Sequence, residues 1–172
     1  SITLNPPTAI TSSTSETQTS CATTNDGTST ITVSGGLAPY DISWTGPNNG
    51  SQNDAINISG ESYDITPLAA GNYSVTITDA SGCTKGESFT ITSAVAVSQT
   101  NSTTHVICNG DGNGAIDFTV SGGSAPYDIS WTGPANGSQN DAINVSGQSY
   151  QITGLTGGDY DVTITDDNGC IL

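Results

Sequence analysis

Apolar and polar residues alternate one by one in several short stretches of the chain, a pattern typical of β-strands with one buried face. The longest stretches, 73–77 and 160–164, both place Tyr, Val and Ile at alternate positions. Turn residues such as Gly-Gly, Asn-Gly and Ser-Gly separate the stretches. The pattern predicts an antiparallel, Ig-like β-sandwich. Its further strands are expected at 31–33, 42–44, 56–58, 63–65, 89–91 and 95–97.

The chain contains one module twice, at an offset of 87 residues. Ten consecutive residues, Ala-Pro-Tyr-Asp-Ile-Ser-Trp-Thr-Gly-Pro, occur at 38–47 and again at 125–134. With this offset, segments 21–83 and 108–170 agree without a gap at 42 of 63 positions. The predicted fold class is therefore all-β, with two tandem Ig-like antiparallel β-sandwich modules, each with one disulfide.

Each module has two cysteines, separated by 62 positions. Four cysteines allow three pairings, and the repeat favours one bridge within each module, Cys21 to Cys83 and Cys108 to Cys170. Such a bridge would stabilise a small module by about 4 kcal/mol on the chain-entropy model; free buried thiols are the alternative. A zinc site is disfavoured because there is no C-x-x-C spacing and the single histidine has no partner. Disulfides imply an oxidising compartment outside the cytoplasm.

Composition changes this picture in two ways. Leu, Ile, Val and Phe sum to only 31 of 172 residues, a low content that is usual for disordered chains. Thr, Ile and Val, however, sum to 51 residues, and these three residue types favour β-strands. We therefore expect a thin core rather than disorder. One basic residue against sixteen acidic ones gives a net charge of −15. This balance argues against nucleic acid and anionic membranes as partners, and no stretch is long and apolar enough to predict membrane insertion.

Three sets of residues are candidates for binding or modification. Repeated aromatics could form a sugar-stacking platform, with a buried core position as the alternative for each Trp: Tyr40, Trp44, Tyr127 and Trp131. A loop resembling a calcium loop, without its sixth-position Gly and closing Glu, contains Asp111, Asn113 and Asp117. Calcium is the one cofactor considered. Possible glycosylation sequons begin at Asn49, Asn57, Asn72, Asn101, Asn136 and Asn144.

No set of residues predicts catalysis. His105 is expected between the modules, and nothing near it in sequence marks a nucleophile or a carboxylate partner. The chain is therefore predicted not to be an enzyme, and no catalytic residue is assigned.

The two ends of the chain are out of phase with its modules. Residues 1–20 align with 88–107, which places Ile2 on Phe89, Leu4 on Ile91 and Ile10 on Val97. The segment 1–7 is therefore expected to be the closing strand of a preceding module, or a donor strand for a neighbouring subunit. The first module then covers 8–92, and the second, which lacks its own last strand, covers 93–172.

Shared motifs extend through both modules. After Cys21 and Cys108 come Val-Ser-Gly-Gly-x-Ala-Pro-Tyr-x-x-x-Trp, then Leu-x-x-Gly-x-Tyr, and finally Val-Thr-Ile-Thr-Asp-x-x-Gly-Cys. With these motifs the modules resemble the SprB-type repeat of Bacteroidota gliding and cell-surface adhesins. Residues 2–7 resemble the strand that closes one repeat of that family before the next. The resemblance implies a secreted stalk or adhesin at the cell surface, with no catalytic residues to carry over.

Three functions follow as expectations. The first is a structural, non-enzymatic repeat unit of an extracellular adhesin or filament, in contact end to end with copies of itself or adjacent repeats. The second is a pilus-like subunit that adds its N-terminal strand to the next copy; in one continuous chain the same contact would be intramolecular. The third is a carbohydrate-binding module that contacts surface glycans.

Overall fold

The computed structural model describes residues 8–172, and within that range every regular element is a β-strand. Its contacts divide the chain into two compact units, which we call unit 1 (up to Ser93) and unit 2 (Ala94–Leu172). The strands of unit 1 are β1 (Thr11–Thr17), β2 (Gly27–Ser34), β3 (Tyr40–Thr45), β4 (Gly50–Ile56), β5 (Ser62–Leu68), β6 (Gly71–Asp79) and β7 (Thr84–Ile91).

Unit 1 consists of two antiparallel sheets with one shared core. The first sheet has the order β1-β2-β5 and the second the order β4-β3-β6-β7. Alternate residues of β2 and β6 are buried, as the sequence pattern predicts. Side chains from both sheets form one cluster, which is what defines a sandwich: Ile31, Val33, Tyr40, Ile42, Ile56, Ile65, Leu68, Tyr73, Val75, Ile77, Phe89 and Ile91.

Unit 2 repeats this arrangement with one strand fewer. Its strands are β8 (Ser98–Thr104), β9 (Gly114–Ser121), β10 (Tyr127–Thr132), β11 (Gly137–Ile143), β12 (Ser149–Leu155) and β13 (Asp161–Asp166). They form antiparallel sheets of order β12-β9-β8 and β11-β10-β13. The smaller core consists of Phe118, Val120, Tyr127, Ile129, Ile143, Ile152, Leu155 and Ile164. The predicted all-β class with two antiparallel sandwiches is confirmed.

The structure corrects the strand predictions at three places. β4 ends at Ile56, and Ile58, expected in that strand, is 63% exposed. Residues 95–97 form no strand. The two first strands of the units, β1 and β8, were not predicted because they consist almost entirely of Ser, Thr, Asn and Gln. Both are edge strands, whose outer positions need no apolar residue.

The predicted disulfide pairing within each repeat is wrong. Cys21 and Cys170 are disulfide-bonded, whereas Cys83 and Cys108 are free and exposed thiols. In unit 1, Cys21 precedes β2 at the end where Thr19 N–H donates to the Thr92 carbonyl, just beyond β7. Cys83 follows β6 at the opposite end of the strands. Strands of eight or nine residues separate the two by roughly 26 Å, whereas a disulfide requires Cα atoms within about 7 Å.

Candidate functional site

The site with the most distinctive geometry is an incomplete sheet edge in unit 2. In unit 1, the start of β6 is paired only with β7, through Gly71 opposite Ile91 and Tyr73 opposite Phe89. In unit 2 the corresponding residues, Gly158 and Tyr160, belong to no strand, and β13 begins only at Asp161. Of a seventh strand, the described residues contain only the equivalents of its first two, Ile171 and Leu172, and Leu172 exchanges two backbone hydrogen bonds of 2.9 and 3.1 Å with Ile164.

Unit 1 shows what a seventh strand covers. The Phe89 ring stacks on Tyr73, with 5.1 Å between ring centroids and 14° between planes. Ile91 packs over Gly27 so closely that a Cβ on this glycine would lie 2.5 Å from the Ile91 Cγ2. Ser12 on β1 donates a 2.8 Å hydrogen bond to the Glu87 carboxylate on β7, which connects the two sheets at this edge. β7 therefore closes one side of the sandwich.

The same side of unit 2 is open. The corresponding residues Tyr160 and Val162 are half-buried, whereas Tyr73 and Val75 of unit 1 are buried. Two neighbouring cavities of about 180 and 320 Å³ lie between the edges of the two sheets. We call them together the unit 2 groove, and its apolar lining consists of Val106, Ile116, Phe118, Leu155, Tyr160 and Val162.

One end of the groove is lined by Gly114, the repeat equivalent of Gly27, together with Leu155 and Val106. A Cβ on Gly114 would lie 3.3 Å from the Val106 Cγ1, so Val106 covers part of the space that Ile91 occupies over Gly27. His105, expected as a linker residue, instead follows β8 inside unit 2 and lines this end of the groove.

The predicted sugar platform is only partly at the surface. Tyr40 and Tyr127 are fully buried and donate their hydroxyls to the carbonyls of Gly35 and Gly122. A sugar cannot reach these two rings. Trp44 and its equivalent Trp131 are half-buried, pack against the cores and cover a glycine of the adjacent strand. Glycan binding by the tryptophans stays a prediction.

The repeated acidic residues stabilise turns and bulges. Asp79 is 6% exposed, and its carboxylate accepts the Leu37, Ser81 and Cys83 N–H groups and the Ser81 hydroxyl. The Ser81 hydroxyl is the main cause of a lowered Asp79 pKa. Asp79 thereby connects the β2–β3 turn to the β6–β7 turn. In a second position, Asp41 accepts the backbone N–H of Asp54, at the bulge between β3 and β4.

Of the three predicted calcium ligands, Asp111 and Asn113 lie together in one loop, where the Asn113 amide donates to the Asp111 carboxylate, and Asp117 bonds elsewhere. Asp111 accepts the Cys108 N–H, and Asn113 accepts the Ile107 N–H, within their own loop. Asp117 lies on β9 and accepts a hydrogen bond from Gln151 on β12. Among residues 8–172, no group of three or more His, Cys, Asp or Glu side chains is placed to hold a metal ion. Calcium binding stays a prediction.

The remaining predicted residues are those of the strand-addition segment and the glycosylation sequons. Ile10, predicted with Ile2 and Leu4 to form the strand-addition segment, instead packs against the core of its own unit 1. Ile2 and Leu4 lie outside the described residues, as does the whole predicted segment 1–7. The six sequon asparagines are all exposed, which glycosylation would require: Asn49, Asn57, Asn72, Asn101, Asn136 and Asn144.

Comparison with known proteins finds one similar family. A family model described as the SprB repeat matches residues 13–49 and again 100–136, once in each unit. Each match begins within the first strand of its unit and ends in the turn after the half-buried Trp. A search of curated proteins gave no match. Residues 13–49 and 100–136 are therefore similar to the SprB repeat, a structural repeat found in cell-surface proteins.

Proposed function

We propose that the chain is a structural, non-enzymatic repeat unit of an extracellular cell-surface adhesin or filament. The observation that carries this proposal is that both SprB-type repeats fold into sandwiches. Their repeated acidic and Tyr side chains form hydrogen bonds within the sandwich, which is a structural role. The net charge of −15 would keep neighbouring filaments apart by repulsion. In the part of the chain that the structure describes, no helix could cross a membrane.

Immunogold electron microscopy on intact, unpermeabilised source cells tests the location and shape. An antibody against the two-unit chain should label extended structures outside the cell. Gold found only after the envelope is permeabilised would contradict an extracellular role. The denatured mass of the reactive polypeptide gives a second result. After reduction and boiling, a band near 17 kDa indicates separate subunits, whereas a band of hundreds of kDa indicates one long chain.

The unit 2 groove favours a second, more specific candidate: a self-assembling subunit that receives a strand from another copy. An exposed sheet edge accepts an added strand through main-chain hydrogen bonds, while pockets beneath select its alternate side chains. Among the described residues, Gly158 and Tyr160 have no strand partner, and Tyr160 lines the groove with Phe118 and Val162. A fitting strand therefore has apolar residues two positions apart.

The chain itself contains a sequence of this pattern. Ser1-Ile2-Thr3-Leu4 corresponds by the 87-residue offset to Ser88-Phe89-Thr90-Ile91 of β7. In the β7 register, Ile2 of a second copy would lie over Tyr160, and Leu4 would lie over Gly114 beside Val106. The donor segment has no charged side chain, so it places no like charge against the carboxylates of Asp159 and Asp161 at the receiving edge.

Sedimentation velocity over a concentration series tests strand addition with the full chain. The matched variants are Ile2→Asp, which places a carboxylate toward the groove, and Thr3→Asp, which places the same charge toward solvent. We expect the parent chain and Thr3→Asp to associate, and Ile2→Asp to sediment as a monomer. Equal association of the two variants, or none by the parent at any concentration, would exclude this candidate.

A further inference from the structure

We infer that Asn109 is a site of spontaneous deamidation, at which the Asn109-Gly110 pair converts to aspartate and isoaspartate without an enzyme. The inference goes beyond the proposed function and does not depend on it. The only reactant besides the loop itself is water.

The sequence contains five candidate pairs for this chemistry. Deamidation begins when the backbone nitrogen of the next residue attacks the side-chain amide carbon of an asparagine. Glycine permits this approach best, because it has no Cβ and the widest backbone freedom. Asn-Gly pairs begin at five positions: Asn49, Asn109, Asn113, Asn136 and Asn168. The sequence does not rank the five pairs, whereas the hydrogen bonds of the fold do.

Two of the pairs lie in equivalent turns that hold the asparagine side chain. The Asn49 side-chain oxygen accepts the Gly46 N–H at 2.8 Å, and the Asn136 oxygen accepts the Gly133 N–H at 2.9 Å. In both turns the glycine that follows the asparagine lies beneath a tryptophan ring. The reacting groups of these two pairs are therefore fixed and crowded.

Two other pairs are held in different ways. The Asn113 side-chain oxygen accepts the Ile107 N–H at 3.2 Å, so rotation of this amide breaks a hydrogen bond. At Asn168 the attacking nitrogen itself is held, because the Gly169 N–H donates to the Asp166 carbonyl at 2.9 Å. Ring closure at either pair therefore requires the loss of a hydrogen bond.

Asn109 differs from these four at both reacting groups. Asn109 and Gly110 are exposed, and within residues 8–172 neither the Asn109 amide nor the Gly110 N–H has a hydrogen-bond partner. Gly110 has a φ of 91°, and a Cβ built on it would meet no atom within 4 Å. The turn is closed by a 3.1 Å hydrogen bond from the Asp111 N–H to the Cys108 carbonyl, which spans the pair without engaging it. The Asn109 amide and the Gly110 nitrogen are therefore free to approach each other.

The reaction is a ring closure followed by hydrolysis. The Gly110 nitrogen bonds to the Asn109 Cγ, the bond from Cγ to the side-chain nitrogen breaks, and ammonia leaves with the proton of the Gly110 amide. The product is a five-membered succinimide. Water then opens the ring at either carbonyl, which gives aspartate in the original backbone or isoaspartate with the backbone running through Cγ. One water is consumed and one ammonia is released.

Both products change the loop that leads into β9. Each adds a carboxylate two residues from Asp111, whose side chain accepts the Cys108 N–H at 3.1 Å, and two nearby like charges repel each other. Isoaspartate also lengthens the main chain by one carbon atom inside the turn. We therefore expect the turn from Cys108 to Asp111 to open in the isoaspartate form, while the pairing of β8 with β9 persists.

The test incubates the folded full chain in mildly alkaline buffer and follows all five pairs by peptide mass spectrometry. A deamidated peptide is heavier by the difference between a hydroxyl and an amino group, and electron-transfer fragmentation distinguishes isoaspartate from aspartate. Asn109 should react at least tenfold faster than each of the other four asparagines. In concentrated guanidinium chloride, which removes the hydrogen bonds of the fold, the five rates should approach one another.

The control variant is Asn109→Gln, in which ring closure would require a larger ring. Ion-exchange chromatography of the folded parent should resolve an acidic form that grows with time, and Asn109→Gln with an unchanged urea midpoint should not form it. Equal rates at the five pairs of the folded chain, or a faster reaction at another pair, would overturn the inference. So would an Asn109 that stays intact in the folded chain while it reacts in guanidinium chloride.

Discussion

The absence of a seventh strand from unit 2 predicts unequal costs for two equivalent core substitutions. Val75 in unit 1 is 2% exposed, whereas its equivalent Val162 is half-buried and lines the unit 2 groove. Truncation to Ala removes two methyl-sized groups. At about 0.8 kcal/mol for each buried group, plus a cavity contribution, Val75→Ala should cost about 2 kcal/mol. Val162→Ala should cost about 1 kcal/mol, because part of this side chain already contacts water.

Each unit contains one tryptophan, so the two unfolding reactions can be followed separately. Urea titrations monitored by fluorescence would use a Trp131→Phe background for unit 1 and a Trp44→Phe background for unit 2. Ile2→Asp should be present throughout, so that no second copy fills the groove. Equal costs for the two valines within about 0.3 kcal/mol, the usual additivity error, would refute the reasoning. With Ile2 restored and the protein concentrated, the cost of Val162→Ala should rise toward that of Val75→Ala.

Three further predictions concern single contacts. Tyr40→Phe removes the hydroxyl that donates to the Gly35 carbonyl and should destabilise unit 1 by about 1–2 kcal/mol in urea titrations. An unchanged urea midpoint would mean that this hydrogen bond contributes nothing to stability. Asp54 has a φ of 49°, in the left-handed region. The free energy of unfolding of Asp54→Gly should therefore stay within about 1 kcal/mol of the parent, whereas Asp54→Val should lose roughly 1–3 kcal/mol. Equal urea midpoints for the two variants would contradict this. The Ser20 and Thr24 hydroxyls lower the pKa of Asp26 from 3.8 to about 2. Because the folded pKa is the lower one, this stability is complete above about pH 4 and lost as the pH falls toward 2; thermal melts of Asp26→Asn should show a smaller loss over that window than the parent.

The buried strands could be predicted from the sequence because burial on one face imposes a period of two. β6 has three apolar residues alternating with Ser and Thr, and its exposure alternates in the same way. β8 could not be found by this criterion, since Ser98–Thr104 contains no apolar residue and all seven positions are exposed. It is a strand because its backbone pairs with β9, a tertiary contact that leaves no side-chain pattern.

The open groove was only half predictable. The 87-residue offset shows that residues 94–172 contain no equivalent of Phe89 and Ile91. It does not show that Gly158 and Tyr160 leave the sheet when their partner strand is absent. In unit 1 the equivalent residues pair with β7 alone, whereas Ser74 onward also pairs with β3. Because the start of β6 pairs on one side only, it depends on β7 to stay in the sheet. This dependence can be seen only once the register between β6 and its two neighbouring strands is known.

The cysteine pairing failed for a reason that lies in the sequence itself. A spacing repeated in both modules is equally consistent with bridges inside a repeat and with bridges between repeats, so periodicity cannot choose between them. Strand parity can. Five predicted strands, at 31–33, 42–44, 56–58, 63–65 and 73–77, lie between Cys21 and Cys83. When successive strands run in opposite directions, an odd number of them carries the chain to the far end of the sandwich. The five observed strands β2 to β6 do so, and two cysteines at opposite ends of one sandwich cannot bond to each other.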